Sequence, residues 1–311
     1  MSLPPLSSDH WSDPLRLLFW RIAASGVLPA RWFSPPVPGP DSRAAKTGKL
    51  QIEIVSHCWN YSHFLVYQLS SLALSPPTRA EVTMTVFYCE EDQRTRELLE
   101  HFSGVHVEGV TWNWQKLPKG LLFRRAVGRN QAALATRADW IWFTDCDTLF
   151  RQGCLDHLSD RLQGRTDVLV YPTMERVTPM LRPDDPLLQL KGDSRFQLVD
   201  IGDDHFIEET VTRAFGPMQI THGDVARACG YCKNLKFFHK PTHRWCKTHE
   251  DRAFRWLLGA GRGVGIDLPG IYRIKHQVKG RYDAARPLSA KIRAPLHRLS
   301  DVVKGALRGK R

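Results

Sequence analysis

Ala138-Asp-Trp-Ile-Trp-Phe-Thr-Asp-Cys-Asp-Thr-Leu-Phe150 is the stretch that decides the fold, because its apolar run ends at two aspartates. Trp140 to Phe143 are bulky and apolar at every position, which is typical of a central parallel strand buried on both faces. Asp145 and Asp147 follow where that strand leaves the sheet, and open α/β sheets bind ligands at the carboxyl ends of their strands. Two carboxylates this close repel each other, and Mg²⁺ or Mn²⁺ is the simplest ion that compensates them. The stretch therefore predicts a buried strand with a divalent-metal site at its end, although an acidic pair can also cap a helix or face water.

Strand and helix patterns alternate on both sides of this stretch. The predicted strands are Leu50–Cys58, Val82–Tyr88, Val105–Val110, Trp140–Phe143, Val168–Tyr171, Met218–Thr221 and Ile271–Lys275. The predicted helices are Tyr61–Leu74, Asp92–Phe102, Phe123–Arg137, Leu155–Leu162, Asp224–Ala228 and Glu250–Leu258. Such alternation predicts βαβ units, and therefore an α/β fold with a mostly parallel sheet flanked by helices. Residues 178–204 are rich in Pro, Asp and Gly and are predicted to form an irregular insertion.

The two ends of the chain differ from this central domain, which is predicted to span residues 49–284. Residues 1–48 combine an amphipathic helix with a Pro-rich linker at Ser34–Pro40. The apolar residues of that helix recur at helical spacing with arginines between them: Trp11, Leu15, Leu18, Phe19 and Ile22. The helix either packs on the domain or contacts a membrane surface. Residues 285–311 form a basic tail whose apolar residues also recur at helical spacing.

The formal charge of +12 is concentrated near the carboxyl end. Residues 273–311 contain twelve Lys or Arg against two Asp, a net +10, so the rest of the chain is close to neutral. This distribution argues against a nucleic-acid-binding surface spread over the domain. The basic amphipathic tail suits an anionic membrane surface, although it can also pack on the domain.

Cysteine usage and hydropathy bear on the compartment. The seven cysteines are dispersed and partly within apolar segments, with no secretory leader ahead of them, which favours reduced thiols in a cytoplasmic protein. Arginines interrupt the most apolar N-terminal stretch, Leu15–Phe33, so it is not predicted to span a bilayer. A cytoplasmic protein, with a peripheral position on the inner face of the membrane as an option, is the resulting prediction.

A group of cysteines and histidines offers a second metal hypothesis. Its members are Cys229, Cys232, His239, His243, Cys246 and His249. The first spacing, Cys-x2-Cys, is common in structural zinc sites. The later spacings follow no zinc pattern, and the aromatic residues among them indicate ordinary packing or a stacking platform for a ligand. A structural Zn²⁺ is therefore the less favoured interpretation.

The order of motifs resembles the A-type (GT-A) glycosyltransferases, particularly the family-2-like inverting enzymes, over residues 50–282. The resemblance rests on these segments: Ser56-His57-Cys58-Trp59-Asn60-Tyr61, Phe87-Tyr88-Cys89-Glu90-Glu91-Asp92, Gly128-Arg129-Asn130-Gln131-Ala132-Ala133, Asp145-Cys146-Asp147, His249-Glu250-Asp251, His276 and Lys279-Gly280-Arg281. The first loop matches loosely, and Cys146 between the aspartates departs from the family pattern. The nucleotide base and the sugar therefore stay open.

The resemblance implies roles for individual residues. Donor binding falls to Ser56, His57, Glu90, Arg129, Asn130, Asp145, Lys279 and Arg281. Asp147 and His276 are implied ligands of Mn²⁺ or Mg²⁺, with Asp145 on the metal or the ribose. Asp251 is the implied catalytic base, with Glu250 as second choice, although this pair can also simply favour a helix N-terminus.

These expectations combine into a metal-dependent, inverting glycosyltransferase that moves a sugar from a nucleotide-sugar donor to a hydroxyl of a glycan or glycolipid. One alternative is a nucleotidyltransferase on a similar sheet, but Ser56–Tyr61 offers neither the glycine nor the lysine that its triphosphate loop requires. Another is a non-catalytic, zinc-braced module whose basic tail reaches a membrane or nucleic acid. Bound zinc without nucleotide affinity would distinguish that module.

Overall fold

Two sheets and their flanking helices make up the computed structural model, which describes residues 11–189, 197–243, 245 and 248–277. The strands are β1 Leu50–Cys58, β2 Ala80–Tyr88, β3 Val110–Lys116, β4 Trp140–Phe143, β5 Thr148–Phe150, β6 Leu169–Pro172, β7 Met174–Val177, β8 Ile207–Thr210, β9 Gln219–His222, β10 Val264–Ile266 and β11 Ile271–Arg273. The helices are α1 Asp13–Ile22, α2 Ser62–Leu74, α3 Gln93–Ser103, α4 Lys119–Leu122, α5 Arg125–Ala135, α6 Cys154–Leu162, α7 Gly223–Cys229, α8 Lys236–His239 and α9 Glu250–Leu257.

The larger sheet has the order β10-β6-β9-β4-β1-β2-β3. Its neighbours pair in parallel except at β9, which runs antiparallel to both β4 and β6. The chain moves outward from β1 through β2 to β3 and then returns to place β4 on the other side of β1. Such a reversal of strand order opens a crevice at the carboxyl ends of the two strands, where ligands bind in α/β proteins. The predicted mostly parallel α/β fold is confirmed.

Strand β4 is buried on both faces, as its continuous apolar sequence predicts. Trp140 and Trp142 point into one core, which α2, α3 and α6 cover. Ile141 and Phe143 point into the other, which α5, α7 and α9 cover. The strand therefore has helices on both sides and a carboxyl end that is held in place from both sides.

The smaller sheet, in the order β5-β11-β7-β8, determines what lies beside the aspartates. Strand β5 begins immediately after Asp147, and β11 pairs antiparallel with it, so that Arg273 lies opposite Thr148. The amide of Ile274 also donates to the carbonyl of Asp147 over 2.9 Å. This pairing brings the chain that leads to His276 alongside Asp147.

The N-terminal helix exists and packs on the domain, within the same compact unit as the sheets. Its Trp20 ring contacts Phe33 and Phe238, and Phe33 contacts Trp256 of α9. The indole of Trp256 donates to the carbonyl of Leu28 over 2.9 Å. The boundaries at residues 48 and 284 stay predictions, and the basic tail, residues 285–311, lies outside the described residues. None of the helices in the described part of the chain is long and apolar enough to cross a membrane.

Several predicted elements need correction. The third strand is not Val105–Val110 but Val110–Lys116, because the chain turns at Gly109, whose φ is 73°, before the alternating pattern of Trp112 and Trp114 begins. The helix predicted at Phe123–Arg137 is shorter, Arg125–Ala135, since Arg124 before it leaves helical geometry with ψ at 88°. The short helix α4 that precedes it was not predicted. The sequence prediction also omitted β5, β7, β8, β10 and α8.

Candidate functional site

Asp145 and Asp147 lie just beyond the carboxyl end of β4, at the reversal of strand order. Cys146 between them is 2% exposed and belongs to the core on the α2 side. Cys146, at which the turn departs from the family pattern, therefore packs in the core and anchors the turn. Both carboxylates keep some access to solvent, with 24% of the Asp145 side chain and 17% of the Asp147 side chain exposed.

Two arginines of α5 hold Asp145. Arg125 donates from Nη1 to Oδ1 of Asp145 over 2.6 Å, and Arg129 lies 3.3 Å from the same oxygen. They are four residues apart and so lie on one face of the helix. Because the Arg129 side chain is fully buried and also bonds Tyr231 Oη and the carbonyl of Gly216, it reaches the site only through Asp145.

Asp147 and His276 form the second part of the site. Oδ2 of Asp147 lies 3.6 Å from Nε2 of His276, and the imidazole packs on the rings of Phe64 and Tyr61. Oδ1 of Asp147 and Nδ1 of His276 are buried and have no hydrogen-bond partner among the described residues. Buried polar atoms normally have partners, so this pair carries unused capacity for one. Burial, with His276 and Arg94 nearby, lowers the pKa of the adjacent His63 to about 4.

The donor set of this pair fits a divalent cation. Carboxylate oxygen and neutral imidazole nitrogen are both ligands of Mn²⁺, and carboxylate oxygen is also preferred by Mg²⁺. Asp145 differs from Asp147, because its Oδ1 already accepts hydrogen bonds from two arginines. No group of three or more potential ligands assembles among the described residues. Asp147 and His276 are therefore the residues of the predicted set that could hold the ion.

Glu250 and Asp251 begin α9 and have different surroundings. Glu250 is buried, accepts from Arg125 Nε over 3.0 Å and from the Thr248 hydroxyl. Burial alone would raise the pKa of Glu250, but the Arg125 charge and the Thr248 hydrogen bond outweigh it and lower the pKa to about 2. A carboxylate held this firmly is a poor proton acceptor at neutral pH.

Gly216 joins Asp251 to Asp145. The Gly216 amide lies 3.3 Å from Oδ2 of Asp251, and its carbonyl accepts from Arg129. A Cβ built on Gly216 would lie 3.7 Å from Oδ2 of Asp145. The two ends of the predicted active site, separated by more than a hundred residues in the sequence, therefore meet at this glycine.

The other predicted donor-binding residues lie elsewhere. Ser56 is buried and bonds Gln68, while His57 is buried and stacks on Phe87. Glu90 is exposed and paired with Lys116, and Asn130 accepts from the amide of Tyr231. Their donor-binding roles stay predictions. Lys279 and Arg281 lie outside the described residues.

Sequence reasoning missed several residues that build the site. Arg125 precedes the Gly128-Arg129-Asn130 motif by one helical turn, and that spacing was a usable signal. Asp92 was predicted as the first residue of a helix and as part of the acidic segment after the second strand. It accepts from the Thr95 amide as a helix cap, and it also holds the Asn60 amide over 2.6 Å in the loop after β1. Gly216 and Tyr231 carried no local signal.

The cysteine and histidine group does not assemble around an ion in the described residues. The Cys232 thiol donates to the carbonyl of Glu250, and His239 Nε2 lies 2.9 Å from the carbonyl of Cys232. Burial raises the pKa of both Cys229 and Cys232, so without a bound metal both thiols are neutral. Cys246 lies outside the described residues.

No family model matches the chain, and no curated protein matches it. Solved structures are similar to it in part. The chain aligns with S. aureus TarS 1-349 in complex with UDP-GlcNAc at 13% identity and a TM-score of 0.47, over 76% of this chain and 62% of that one. It aligns with the mannosyltransferase PcManGT from Pyrobaculum calidifontis, in complex with GDP-Man and Mn²⁺, at 14% identity and a TM-score of 0.40. That alignment covers 85% of this chain and 65% of the mannosyltransferase, so the chain spans less than two thirds of either protein.

Proposed function

We propose that this chain is a metal-dependent glycosyltransferase of the GT-A type that transfers a sugar from a nucleotide-sugar donor to a hydroxyl group. One observation carries the proposal. Asp145 and Asp147 lie at the reversal of strand order, with His276 beside Asp147 and with Asp251 linked to Asp145 through Gly216. Acidic and imidazole ligands on one side and a carboxylate on the other are the groups that such a transfer requires.

The transfer is a displacement at the anomeric carbon. The acceptor oxygen forms a bond to that carbon while the bond from the carbon to the nucleoside diphosphate breaks, and the electron pair leaves with the diphosphate. The acceptor proton passes to the carboxylate of Asp251. Attack opposite to the leaving group inverts the configuration at the anomeric carbon.

The residues around Asp145 and Asp147 act on the leaving group. When held by Asp147 and His276, Mn²⁺ or Mg²⁺ supplies positive charge that stabilises the diphosphate. Arg125 and Arg129 neutralise and orient Asp145, so that its other oxygen can meet a ribose hydroxyl or the ion. Lys279 and Arg281, which follow His276 in the chain, belong to the proposal as further diphosphate contacts.

Asp251 and Glu250 divide the work at the start of α9. The low pKa of Glu250 makes it a weak base, so it does not take the acceptor proton. Glu250 instead stays ionised in its pair with Arg125 and positions the helix. Asp251 is the base.

The acceptor is a glycan or glycolipid, and the basic tail then brings the enzyme to the membrane surface where a lipid-linked acceptor lies.

Calorimetric titration with a panel of nucleoside diphosphates, with and without Mn²⁺, tests the proposal. The wild type should bind one nucleotide in a metal-dependent manner, and Asp147→Asn should lose the metal dependence while keeping the fold. Asp160→Asn, which alters an exposed aspartate paired with Arg79, is the matched control and should bind as the wild type does. Absence of nucleotide binding with every metal tried would overturn the proposal.

A further inference from the structure

The N-terminal helix carries apolar side chains that the rest of the described chain leaves exposed. Exposed large apolar side chains cluster between residues 11 and 32, and we call this cluster the α1 surface: Trp11, Leu15, Leu18, Phe19, Ile22, Val27 and Trp32. The helix is anchored to the domain by other residues, chiefly Leu17 and Trp20. The exposed side chains are thus surplus to the packing that holds the helix, and a group of exposed large apolar side chains of this kind is a candidate interaction site.

The charge on the α1 surface is positive and uncompensated. Arg16, Arg21 and Arg31 are exposed, and none of them forms an ion pair within the residues that the structure describes. The acidic residue of the helix, Asp13, is already paired with Lys240 over 3.3 Å. Aromatic and aliphatic side chains interleaved with arginine are typical of helices that lie in the interface of an anionic bilayer.

A groove beside α1 extends this chemistry. It has a volume of about 720 Å³ and lies between α1 and the segment that contains α8. Its apolar walls come from Leu15, Phe19 and Phe237, and its cations include Arg16 and Lys236. Acyl chains and anionic headgroups match these two kinds of lining.

We propose that the α1 surface docks on a bilayer that contains anionic phospholipid. A second copy of the chain is the less favourable occupant, because a symmetric contact would bring equal positive charges together without acidic partners. The surface is also tied to the candidate site, since Arg252 of α9 donates to the carbonyl of Ala24 over 3.2 Å and α9 begins with Glu250 and Asp251. This inference does not depend on the proposed function, because it concerns binding without a nucleotide or an acceptor.

Co-sedimentation of the full chain with phosphatidylcholine vesicles, with and without phosphatidylglycerol, tests the proposal in the absence of nucleotide and metal. The wild type should bind the anionic vesicles. Arg16→Gln combined with Arg21→Gln should weaken binding roughly 25-fold, since each cation near the headgroups contributes about fivefold. Arg161→Gln combined with Arg182→Gln is the control of equal net charge, because both arginines are exposed elsewhere.

A second pair of variants tests the apolar contribution. Leu18→Gln should weaken vesicle binding roughly tenfold, because its side chain would enter the interface. Leu74→Gln is the matched control, because Leu74 is as exposed as Leu18, 49% against 51%, and also lies on a helix. It should have no effect, because Leu74 belongs to α2 and not to the α1 surface. Equal binding by each variant and its control would overturn the proposal and leave the basic tail as the membrane contact. A wild type that ignores vesicles and forms a dimer lost in Leu18→Gln would overturn it in favour of self-association. Nucleotide titration of the same variants reports separately on the proposed function.

Discussion

Arg125 lies between Asp145 and Glu250, 2.6 Å from Oδ1 of Asp145 through Nη1 and 3.0 Å from Oε1 of Glu250 through Nε. One guanidinium thus joins the end of β4 to the start of α9. Since 15% of the Arg125 side chain and 4% of the Glu250 side chain are exposed, the pair is far less screened than a surface ion pair. The relative position of the two acidic segments depends on this arginine.

Replacing Arg125 with methionine should destabilise the protein by about 3 kcal/mol, because Glu250 would keep a buried charge without its partner. Urea unfolding measures the change. Arg161→Met removes an arginine whose ion pair with Asp267 is largely exposed, and it should cost less than about 1 kcal/mol. Similar losses of unfolding free energy in both variants would show that the Arg125 bridge stabilises the protein no more than an exposed ion pair does.

The low pKa of Glu250 predicts an acid-dependent loss of stability. The pKa is about 2 in the folded chain and 4.5 ordinarily, so the unfolded chain takes up the proton first as pH falls. The stabilisation is complete above pH 4.5 and disappears as pH approaches 2, and it amounts to about 3 kcal/mol. Unfolding free energies of wild type and Glu250→Gln should therefore differ most at neutral pH and converge in acid. A difference that stays constant from neutral pH to pH 2 would contradict this explanation.

Local patterns were sufficient for the part of the site that β4 carries. The continuous apolar run of β4 predicted a strand buried on both faces, and Asp145 and Asp147 lie where its end was expected. The cap at Asp92 was also predictable, because a helix N-terminus leaves amides that a nearby side chain satisfies. Where neighbours in sequence decide the structure, the sequence was informative.

Contacts between distant segments were not predictable in this way. Gly216 meets Asp251 because β9 pairs with β4 and brings its preceding loop to the site, and no local pattern signals that pairing. The third strand was misplaced for a related reason, since Val105 and Val107 are apolar like strand residues but lie before the turn at Gly109. Tertiary pairing selects among segments that look equally suitable alone.

Gly128 should not tolerate a side chain. A Cβ at this position of α5 would overlap Nε2 of His57 and lie 2.8 Å from the ring of Phe87. Gly128→Ala should therefore destabilise the protein by about 1–3 kcal/mol through overpacking, although alanine favours helices. Gly104→Ala is the control, because its Cβ would have only the His101 carbonyl, at 3.5 Å, for a neighbour. Chemical unfolding compares the two, and an unchanged midpoint for Gly128→Ala would contradict the close approach of α5 to β1.

Asp251 and Glu250 should differ in what their loss does to transfer. Asp251→Asn keeps the size and the contact with the Gly216 amide but cannot accept a proton, so kcat should fall about a hundredfold to ten-thousandfold. The nucleotide affinity and the unfolding midpoint of Asp251→Asn should match those of the wild type, because Asp145, Asp147, Arg125 and His276 are unchanged. Glu250→Gln should instead lower stability and reduce the rate only modestly, since Glu250 acts through Arg125. Rates of sugar release from the donor, measured beside nucleotide affinities, separate the two roles. If Glu250→Gln abolishes turnover while Asp251→Asn leaves it intact, the base is Glu250 and the assignment of Asp251 is wrong.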